Sequence, residues 1–247
     1  MRGGNELKRI DLAQEIGRLE YPGRGIVLGL SADGKNAAIA YFIMGRSVNS
    51  RNRIFVAEND GIRTEAFDPA LLEDPSLIIY APVRTLGNYT VVTNGDQTDT
   101  VIDGLDAQMT WAEALSTREF EPDKPNYTPR ISGLVHVTGS RLDYQLSILK
   151  SGDMDPGTCQ RFYFSYSCPK AGEGHYIHTY AGGLDENGAL LSFEGEPVPV
   201  TIGDDHDEFG ETIWASLNED NKVSLFTRFI DLETGETVSK IFNKNSK

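Results

Sequence analysis

The sequence has few of the residues that build covalent or metal frameworks: its 247 residues include two cysteines, Cys159 and Cys168. Two cysteines cannot form a disulfide framework, and even with nearby His175 they are one ligand short of the simplest zinc quartet. No stretch approaches the roughly 20 apolar residues of a membrane-spanning helix. Residues 1–15 contain no apolar run, so we expect neither a signal peptide nor an anchor. These absences predict a soluble, cytoplasmic protein.

Basic residues are also scarce, because 23 Lys and Arg stand against 37 Asp and Glu, a formal net charge of −14. Such a field repels polyanions, so we expect binding neither to nucleic acid nor to an anionic membrane surface. Residues 21–53 are the exception, since they contain Arg24, Lys35, Arg46, Arg51 and Arg53. This segment either binds one small anion or pairs with acids elsewhere in the chain.

Strand patterns dominate the sequence. Several apolar runs are apolar on both faces, which is typical of sheets that are covered on both sides. The predicted strands are Gly25–Leu30, Asn36–Met44, Arg53–Glu58, Leu77–Ala81, Tyr89–Thr93, Ile131–Thr138, Leu142–Leu149, Arg161–Tyr166, His175–Tyr180, Val198–Ile202 and Val223–Asp231.

Helix patterns are fewer. Thr110 and Glu113 have the spacing of a capping box, and the segment Asp205–Leu217 is acidic at its beginning, as the helix dipole prefers. Thr98–Leu105 and Leu12–Leu19 are the other predicted helices. Many strands with a few outer helices predict a layered α+β architecture. No linker interrupts the chain, so we expect one domain over residues 1–247.

Residues 45–53, GRSVNSRNR, are the most unusual segment, because three arginines alternate with Ser and Asn. Arginine binds phosphate through paired hydrogen bonds, and Ser and Asn complete such a shell. We favour a phosphate or nucleotide site over the alternative, a solvated basic turn. In residues 21–25, YPGRG, Arg24 stands between two glycines, which either let the backbone approach a ligand or form a structural turn.

Residues 93–100, TNGDQTDT, end one predicted strand and open a predicted helix. Asn94-Gly95 favours a tight turn, and a helix start offers free N–H groups to a polar ligand. Alternatively, Asp96 or Asp99 does no more than cap the helix. Neither residues 175–178 nor residues 203–208 have a metal-binding spacing, so we predict no metal site.

Five segments in this order resemble the archaeal-type IMP cyclohydrolase family. They are YPGRGIVLG, GRSVNSRNR, LIIYAPVR, VVTNGDQTDT and FEPDKPNYTPRI, and they run from Tyr21 to Ile131. The resemblance implies a four-layer αββα sandwich like that of N-terminal nucleophile (Ntn) hydrolases, with two stacked antiparallel sheets flanked by helices. It implies closure of 5-formamidoimidazole-4-carboxamide ribotide (FAICAR) to inosine monophosphate (IMP) with loss of water, the last step of purine biosynthesis. It also implies no cofactor, and an assembly of several copies.

By motif position, the resemblance implies three catalytic residues. Arg53 would stabilise the formyl oxyanion, Tyr80 would protonate the leaving oxygen, and Glu121 would accept the amide proton or orient Tyr80. Arg130 would either pair with Glu121 or reach the substrate. The substrate-binding candidates are Arg24, Arg46 and Arg51 for the phosphate and Asn94, Gly95, Thr98 and Asp99 for the base or ribose.

Two positions depart from the family pattern, because Ala81 stands where we expect Asn and Gln97 where we expect His. Two other functions are therefore carried forward. One is an amide hydrolase on the same fold, which needs a free N-terminal nucleophile that does not stand at the head of the first motif strand. The other is a purine-nucleotide binding protein without catalysis.

Overall fold

The computed structural model describes residues 9–72, 79–152, 155–186 and 188–246. Strands dominate these ranges. They are β1 (Arg24–Leu30), β2 (Asn36–Met44), β3 (Arg53–Glu58), β4 (Gly61–Ala66), β5 (Val83–Leu86), β6 (Tyr89–Thr93), β7 (Arg130–Thr138), β8 (Arg141–Gly152), β9 (Asp155–Ser167), β10 (Glu173–His178), β11 (Tyr180–Leu184), β12 (Leu190–Ser192), β13 (Val198–Thr201), β14 (Lys222–Asp231) and β15 (Thr237–Asn243).

The helices are short. They are α1 (Leu12–Gly17), α2 (Val48–Arg51), α3 (Gln97–Asp106), α4 (Trp111–Ser116) and α5 (His206–Ser216). The predicted capping box at Thr110 and Glu113 is present at the start of α4. Within the described ranges, every helix is too short or too polar to cross a lipid bilayer.

The strands form two large antiparallel sheets, as predicted. One has six strands in the order β13-β10-β1-β2-β14-β15, and the other has seven in the order β3-β4-β5-β6-β7-β8-β9. Strands β11 and β12 form a separate pair. A hairpin turn at Asp33-Gly34 joins β1 to β2, and Gly34 has a φ of +75°, which an L side chain rarely adopts.

The main hydrophobic core lies between the two large sheets. Ile26 and Ile39 of one sheet and Phe55 and Ile131 of the other belong to it. Alternate residues of the same strands face outwards and are buried by helices: Val27 and Leu225 pack with Ile16 of α1 and Ile213 of α5. This is why the strands of the six-stranded sheet are apolar on both faces.

The seven-stranded sheet is covered in the same way on its outer face. Val91 and Leu134 pack there with Val101 of α3 and with Trp111 and Leu115 of α4. Each large sheet therefore has a second hydrophobic cluster beneath its own helices.

Most strand predictions are confirmed within one to three residues at either end, but three need correction. Strand β9 begins at Asp155, six residues before the predicted start at Arg161. Leu77 and Ile78 lie outside the described residues, and Ile79–Ala81 are not a strand but run beside β4 through a Thr64–Tyr80 hydrogen bond. The predicted strand His175–Tyr180 is divided, because β10 ends at His178 and Tyr180 begins β11.

The sequence analysis missed strands β4, β5, β11, β12 and β15 and helix α2. Strand β4 carries Arg63 and Glu65, and β15 is an edge strand with exposed Val238. Such half-exposed strands lack the continuous apolar run on which the predictions relied.

Candidate active site

Three of the arginines singled out in the sequence begin strands at the same end of the sandwich. Arg24 is the first residue of β1, Arg53 of β3 and Arg130 of β7. Strand β2 ends there as well, since the Arg53 Nη2 donates to the carbonyl oxygen of Met44, its last residue, at 3.1 Å. Sheet topology therefore gathers residues that are far apart in the sequence.

Arg53 is buried in an unusual way, because its side chain is 1% exposed. Its guanidinium donates to the carbonyl oxygens of Ser50, at 2.9 Å, and Met44. In the described part of the chain, no carboxylate lies within ion-pair distance of it. Burial and then the positive charge of Arg24 lower the pKa of Arg53. A buried cation without a counter-charge is costly, so this position favours an anion or a developing negative charge.

Arg24 lies within electrostatic range of this guanidinium and of Tyr41 and Tyr80. Its Nε is buried and, among the described residues, has no hydrogen-bond partner. The turn that places Arg24 needs Gly23, because a Cβ at this residue would lie 2.3 Å from the Thr179 Oγ1. The two explanations of the YPGRG segment are thus compatible, since the glycine shapes a turn that delivers the arginine.

Tyr80 and Tyr41 form a buried hydroxyl pair with an O···O distance of 2.9 Å. Burial and then Tyr80 raise the pKa of Tyr41 well above its ordinary range. The backbone N–H of Tyr80 donates to the Thr64 Oγ1 at 3.0 Å, which fixes the tyrosine against β4. We call Arg24, Arg53, Tyr41 and Tyr80 the arginine–tyrosine cluster.

Tyr41 was missed in the sequence analysis. After Asn36, Tyr41 is the one residue of β2 whose side chain carries a hydroxyl group, and the other side chains of the strand are apolar. A buried tyrosine hydroxyl needs a polar partner, and this was the signal that could have identified it.

Glu121 and Arg130 form a two-pronged ion pair. Arg130 Nη1 lies 2.9 Å from Glu121 Oε1, and Nη2 donates to Oε2 at 3.1 Å. Arg130 Nη1 also donates to Asp96 Oδ1 at 2.7 Å and to Gln97 Oε1 at 2.6 Å. Of the two alternatives left open for Arg130, the structure shows the pairing with Glu121. We call Arg130, Glu121, Asp96 and Gln97 the carboxylate cluster.

Burial dominates the electrostatics of Glu121 and raises the pKa of its carboxyl, although Arg130 and Arg24 act in the opposite direction. Gly95 allows the close packing of this cluster, because a Cβ there would lie 2.6 Å from Arg130 Nη1 and 3.0 Å from Glu121 Oε1. A carboxyl whose pKa is raised towards neutrality is suited to exchanging protons.

The loop between α4 and β7 carries Glu121 into this position. The Glu121 N–H donates to the carbonyl oxygen of Thr128, and Asp123 accepts from the N–H of Thr128 at 2.7 Å. The Thr128 hydroxyl lies 2.6 Å from that of Tyr180, another buried tyrosine. Burial raises the pKa of Tyr180 to about 12.

Other predicted residues make contacts away from the two clusters. Arg51 donates to the carbonyl oxygen of Gly45 and to Asn221, and exposed Asp99 pairs with Arg84. Arg46 lies 4.8 Å above the ring of Tyr21, beside a surface cleft of about 380 Å³.

Asn94 and Thr98 hold the backbone together. Asn94 joins the end of β6 to the start of β7 by donating to the Pro129 carbonyl and accepting from the Ile131 N–H. The Thr98 hydroxyl lies 2.7 Å from that of Thr93. Both side chains position the carboxylate cluster by fixing the turn on which Gly95 and Asp96 lie.

Together, the fold and the site define a two-sheet protein in which buried arginine and tyrosine side chains gather at one end of the sandwich. A family model described as "IMP cyclohydrolase-like protein" matches residues 21–236. The chain belongs to this family, so the resemblance found in the five segments is confirmed.

Individual relatives agree with the family model. An IMP cyclohydrolase of Methanococcus maripaludis is 34% identical over 194 residues, which cover 73% of this chain and 92% of the relative. An IMP cyclohydrolase of Methanopyrus kandleri is 31% identical over 164 residues, covering 65% of this chain and 75% of the relative.

Proposed function

We propose that this protein is an IMP cyclohydrolase, an enzyme of purine biosynthesis that closes FAICAR to IMP with loss of water. Family membership supports the reaction. The structural observation that carries it is the burial of Arg53, without a counter-charge, beside the paired hydroxyls of Tyr80 and Tyr41. Ring closure produces a transient oxyanion, and such a cation is placed to stabilise it.

The first step joins the carboxamide nitrogen of the substrate to its formyl carbon. This nitrogen is a poor nucleophile, so holding it beside the formyl group contributes much of the acceleration, up to roughly 7–11 kcal/mol in well-oriented systems. Glu121 takes the proton that the nitrogen loses, and Arg53 stabilises the negative charge on the former formyl oxygen.

The second step expels that oxygen as water. Tyr80 donates a proton that turns the oxyanion into a hydroxyl, and the proton that Glu121 took in the first step makes this hydroxyl leave as water. The carbon–oxygen bond breaks, and the remaining formamide N–H proton returns to the Tyr80 oxygen, which leaves a C=N bond in the new ring and restores both side chains. Tyr41 is the hydroxyl partner of Tyr80 at 2.9 Å, so Tyr41, and not Glu121, orients the donor. The reaction involves no change of oxidation state, and we propose no cofactor.

The substrate's phosphate needs cations outside the reacting centre. Arg24 supplies one beside Arg53, and Arg46 supplies a second from above Tyr21 at the neighbouring cleft. Gly95 lets the turn pack closely against the carboxylate cluster, and the base or ribose lies beside this turn. Asn94 and Thr98 support this site by fixing the backbone of the turn, whereas Arg51 and Asp99 make their contacts elsewhere.

The finer description of the fold belongs to the same proposal. Helices α1 and α5, the two large sheets, and helices α3 and α4 stack in the order αββα, the order of Ntn-hydrolase-like proteins. We place residues 1–247 in one domain, expect the protein in the cytoplasm, and expect it to assemble into a homo-oligomer.

The test is an assay of IMP formation from FAICAR. Wild-type protein turns the substrate over, and Arg53→Met loses about 10²- to 10³-fold in kcat, since an oxyanion donor is removed. The matched control is Arg63→Met, which removes an arginine that pairs on the surface with Glu58 and Glu65. Equal loss in both variants, or no turnover by a folded wild-type protein that binds IMP, contradicts the proposal.

A further inference from the structure

A second cavity, of about 330 Å³, lies between the two large sheets at the end opposite the candidate active site. Its lining comes from the β3–β4 turn and from the ends and turns of β5, β6, β7, β14 and β15. Asn88, which lines it, precedes the first residue of β6, whereas Asn94 follows the last. Five residues of strand therefore separate the two sites by about 17 Å.

Among the described residues that line this cavity, Arg228 of β14 is the positively charged one, and it is 5% exposed. Its Nε donates to the Ser239 hydroxyl at 2.9 Å, and its guanidinium carbon lies 5.2 Å from the centre of the Phe226 ring. In the part of the chain that the structure describes, its two terminal nitrogens have no hydrogen-bond partner. Asp60 lines the same cavity but lies beyond ion-pair distance. Burial lowers the pKa of Arg228, and Asp60 opposes this only in part.

Packing alone does not account for this guanidinium. Phe226 and Ile230, two residues before and after Arg228 on the same strand face, both belong to the core between the sheets. A methionine or leucine would fill the intervening position without the cost of burying an unpaired cation. The charge is explained if a ligand supplies the missing counter-charge.

The rest of the lining suits such a ligand. Thr85, Asn88, Thr90 and Thr237 line the cavity, and among the described residues none of their side-chain hydroxyl or amide groups has a hydrogen-bond partner. Thr90 is 4% exposed. Hydroxyl and amide donors next to a guanidinium are the usual shell of a bound oxyanion.

We propose that this cavity is a second binding site, separate from the candidate active site, for a small molecule that carries a phosphate or carboxylate group. Arg228 binds the oxyanion through its two free nitrogens, and the threonine hydroxyls complete the shell. Asp60 accepts a hydrogen bond from a hydroxyl or amino group of the same ligand.

The test is an NMR titration of the full chain, read at the backbone amides of Gly87 and Gly235, two turn residues of the cavity wall. The probes are inorganic phosphate, ribose 5-phosphate and succinate, and the probe that saturates at the lowest concentration identifies the preferred anion. We expect saturable shifts in the wild-type protein, at least about tenfold weaker binding in Arg228→Met, and no change in Arg141→Met. Arg141 is an exposed arginine at the same end of the sandwich.

Thr90→Val is the second variant, for the case that Arg228→Met does not fold. Valine keeps the β-branched shape of threonine and removes only its hydroxyl. It should weaken binding about threefold or more, since one hydroxyl donor is lost. The readout is local to this cavity, so it stands whether or not the protein closes FAICAR. Absence of saturable shifts with every probe at millimolar concentration, or equal shifts in wild type, Arg228→Met and Thr90→Val, overturns the proposal.

Discussion

The two clusters of the candidate active site bury arginine in opposite ways. In the arginine–tyrosine cluster, Arg53 is 1% exposed and donates to carbonyl oxygens, with another arginine as its charged neighbour. In the carboxylate cluster, Arg130 is 7% exposed and is held by Glu121 and Asp96. The first arginine lacks a counter-charge among the described residues, and the second has two.

This difference predicts a different function for each cluster. A cation without a counter-charge keeps its field for a ligand and favours negative charge that appears during reaction. A cation already neutralised by carboxylates contributes little field of its own but fixes the carboxylate in place. We therefore expect changes in the first cluster to act on charge stabilisation and changes in the second to act on proton transfer and on stability.

The largest effect is expected for Glu121→Gln, which keeps the shape of the side chain but removes the base. We expect kcat to fall by about 10²- to 10⁴-fold, the usual contribution of a positioned base, with KM changed far less. The control is Glu119→Gln, an exposed residue of the same loop. If both variants keep wild-type kcat, Glu121 does not transfer the proton.

The second largest difference is expected in the stability of variants of the two clusters. Arg130→Met leaves Glu121 buried without its partner, so we expect the free energy of unfolding to fall by about 3 kcal/mol or more. Arg53→Met removes an uncompensated buried charge, so we expect its stability to equal or exceed that of the wild type. Urea denaturation of both variants measures this difference. A larger loss of unfolding free energy in Arg53→Met than in Arg130→Met would contradict the distinction between the clusters.

The tyrosine pair should show a graded effect. Tyr80→Phe removes the proton donor, and we expect about a 10²-fold loss of kcat. Tyr41→Phe removes only the partner that positions it, so about a tenfold loss is expected, the worth of one hydrogen bond. IMP affinity should change little in either variant. Equal losses of kcat, or a loss of IMP affinity that accounts for them, would argue against these roles.

The pH dependence should give the smallest effect. The ionised form of Glu121 is the base, and burial raises its pKa, so kcat/KM should fall on the acid side at a pH above the ordinary range of glutamate. Asp96 contributes to this rise. Asp96→Asn should therefore move the acid limb towards lower pH, by less than about one unit. If the acid limb of the kcat/KM profile stays in place or moves to higher pH, Glu121 is not the base that this profile reports.

Much of the fold was predictable because it depends on local patterns. The apolar runs of β1, β2 and β14 lie between two covered faces, and the capping box of α4 is a contact within one turn. The half-exposed edge strand β15 has no such signature, and the end of β10 at His178 depends on contacts of Tyr180 with residue Pro22, far away in sequence.

The candidate site divides in the same way. Residue types singled out the arginine-rich segment that contains Arg53, whereas Glu121 and Arg130 were predicted from the family resemblance by motif position. The sequence did not show which arginine has a carboxylate as its counter-charge. Asp96 and Glu121 pair with Arg130 because the turn after β6 and the loop before β7 bring them together. The partner of Tyr80 was hidden for the same reason, since Tyr41 belongs to the opposite sheet.

The most direct test of the central claim is the product formed from FAICAR by the wild-type protein. Cyclisation conserves the formyl carbon within the new ring, whereas hydrolysis of the formamide releases it as formate. We predict one equivalent of IMP for each FAICAR consumed, without formate, and the same product at a lower rate in Tyr80→Phe. Release of formate and the amino ribotide in place of IMP would contradict the account and identify an amide hydrolase.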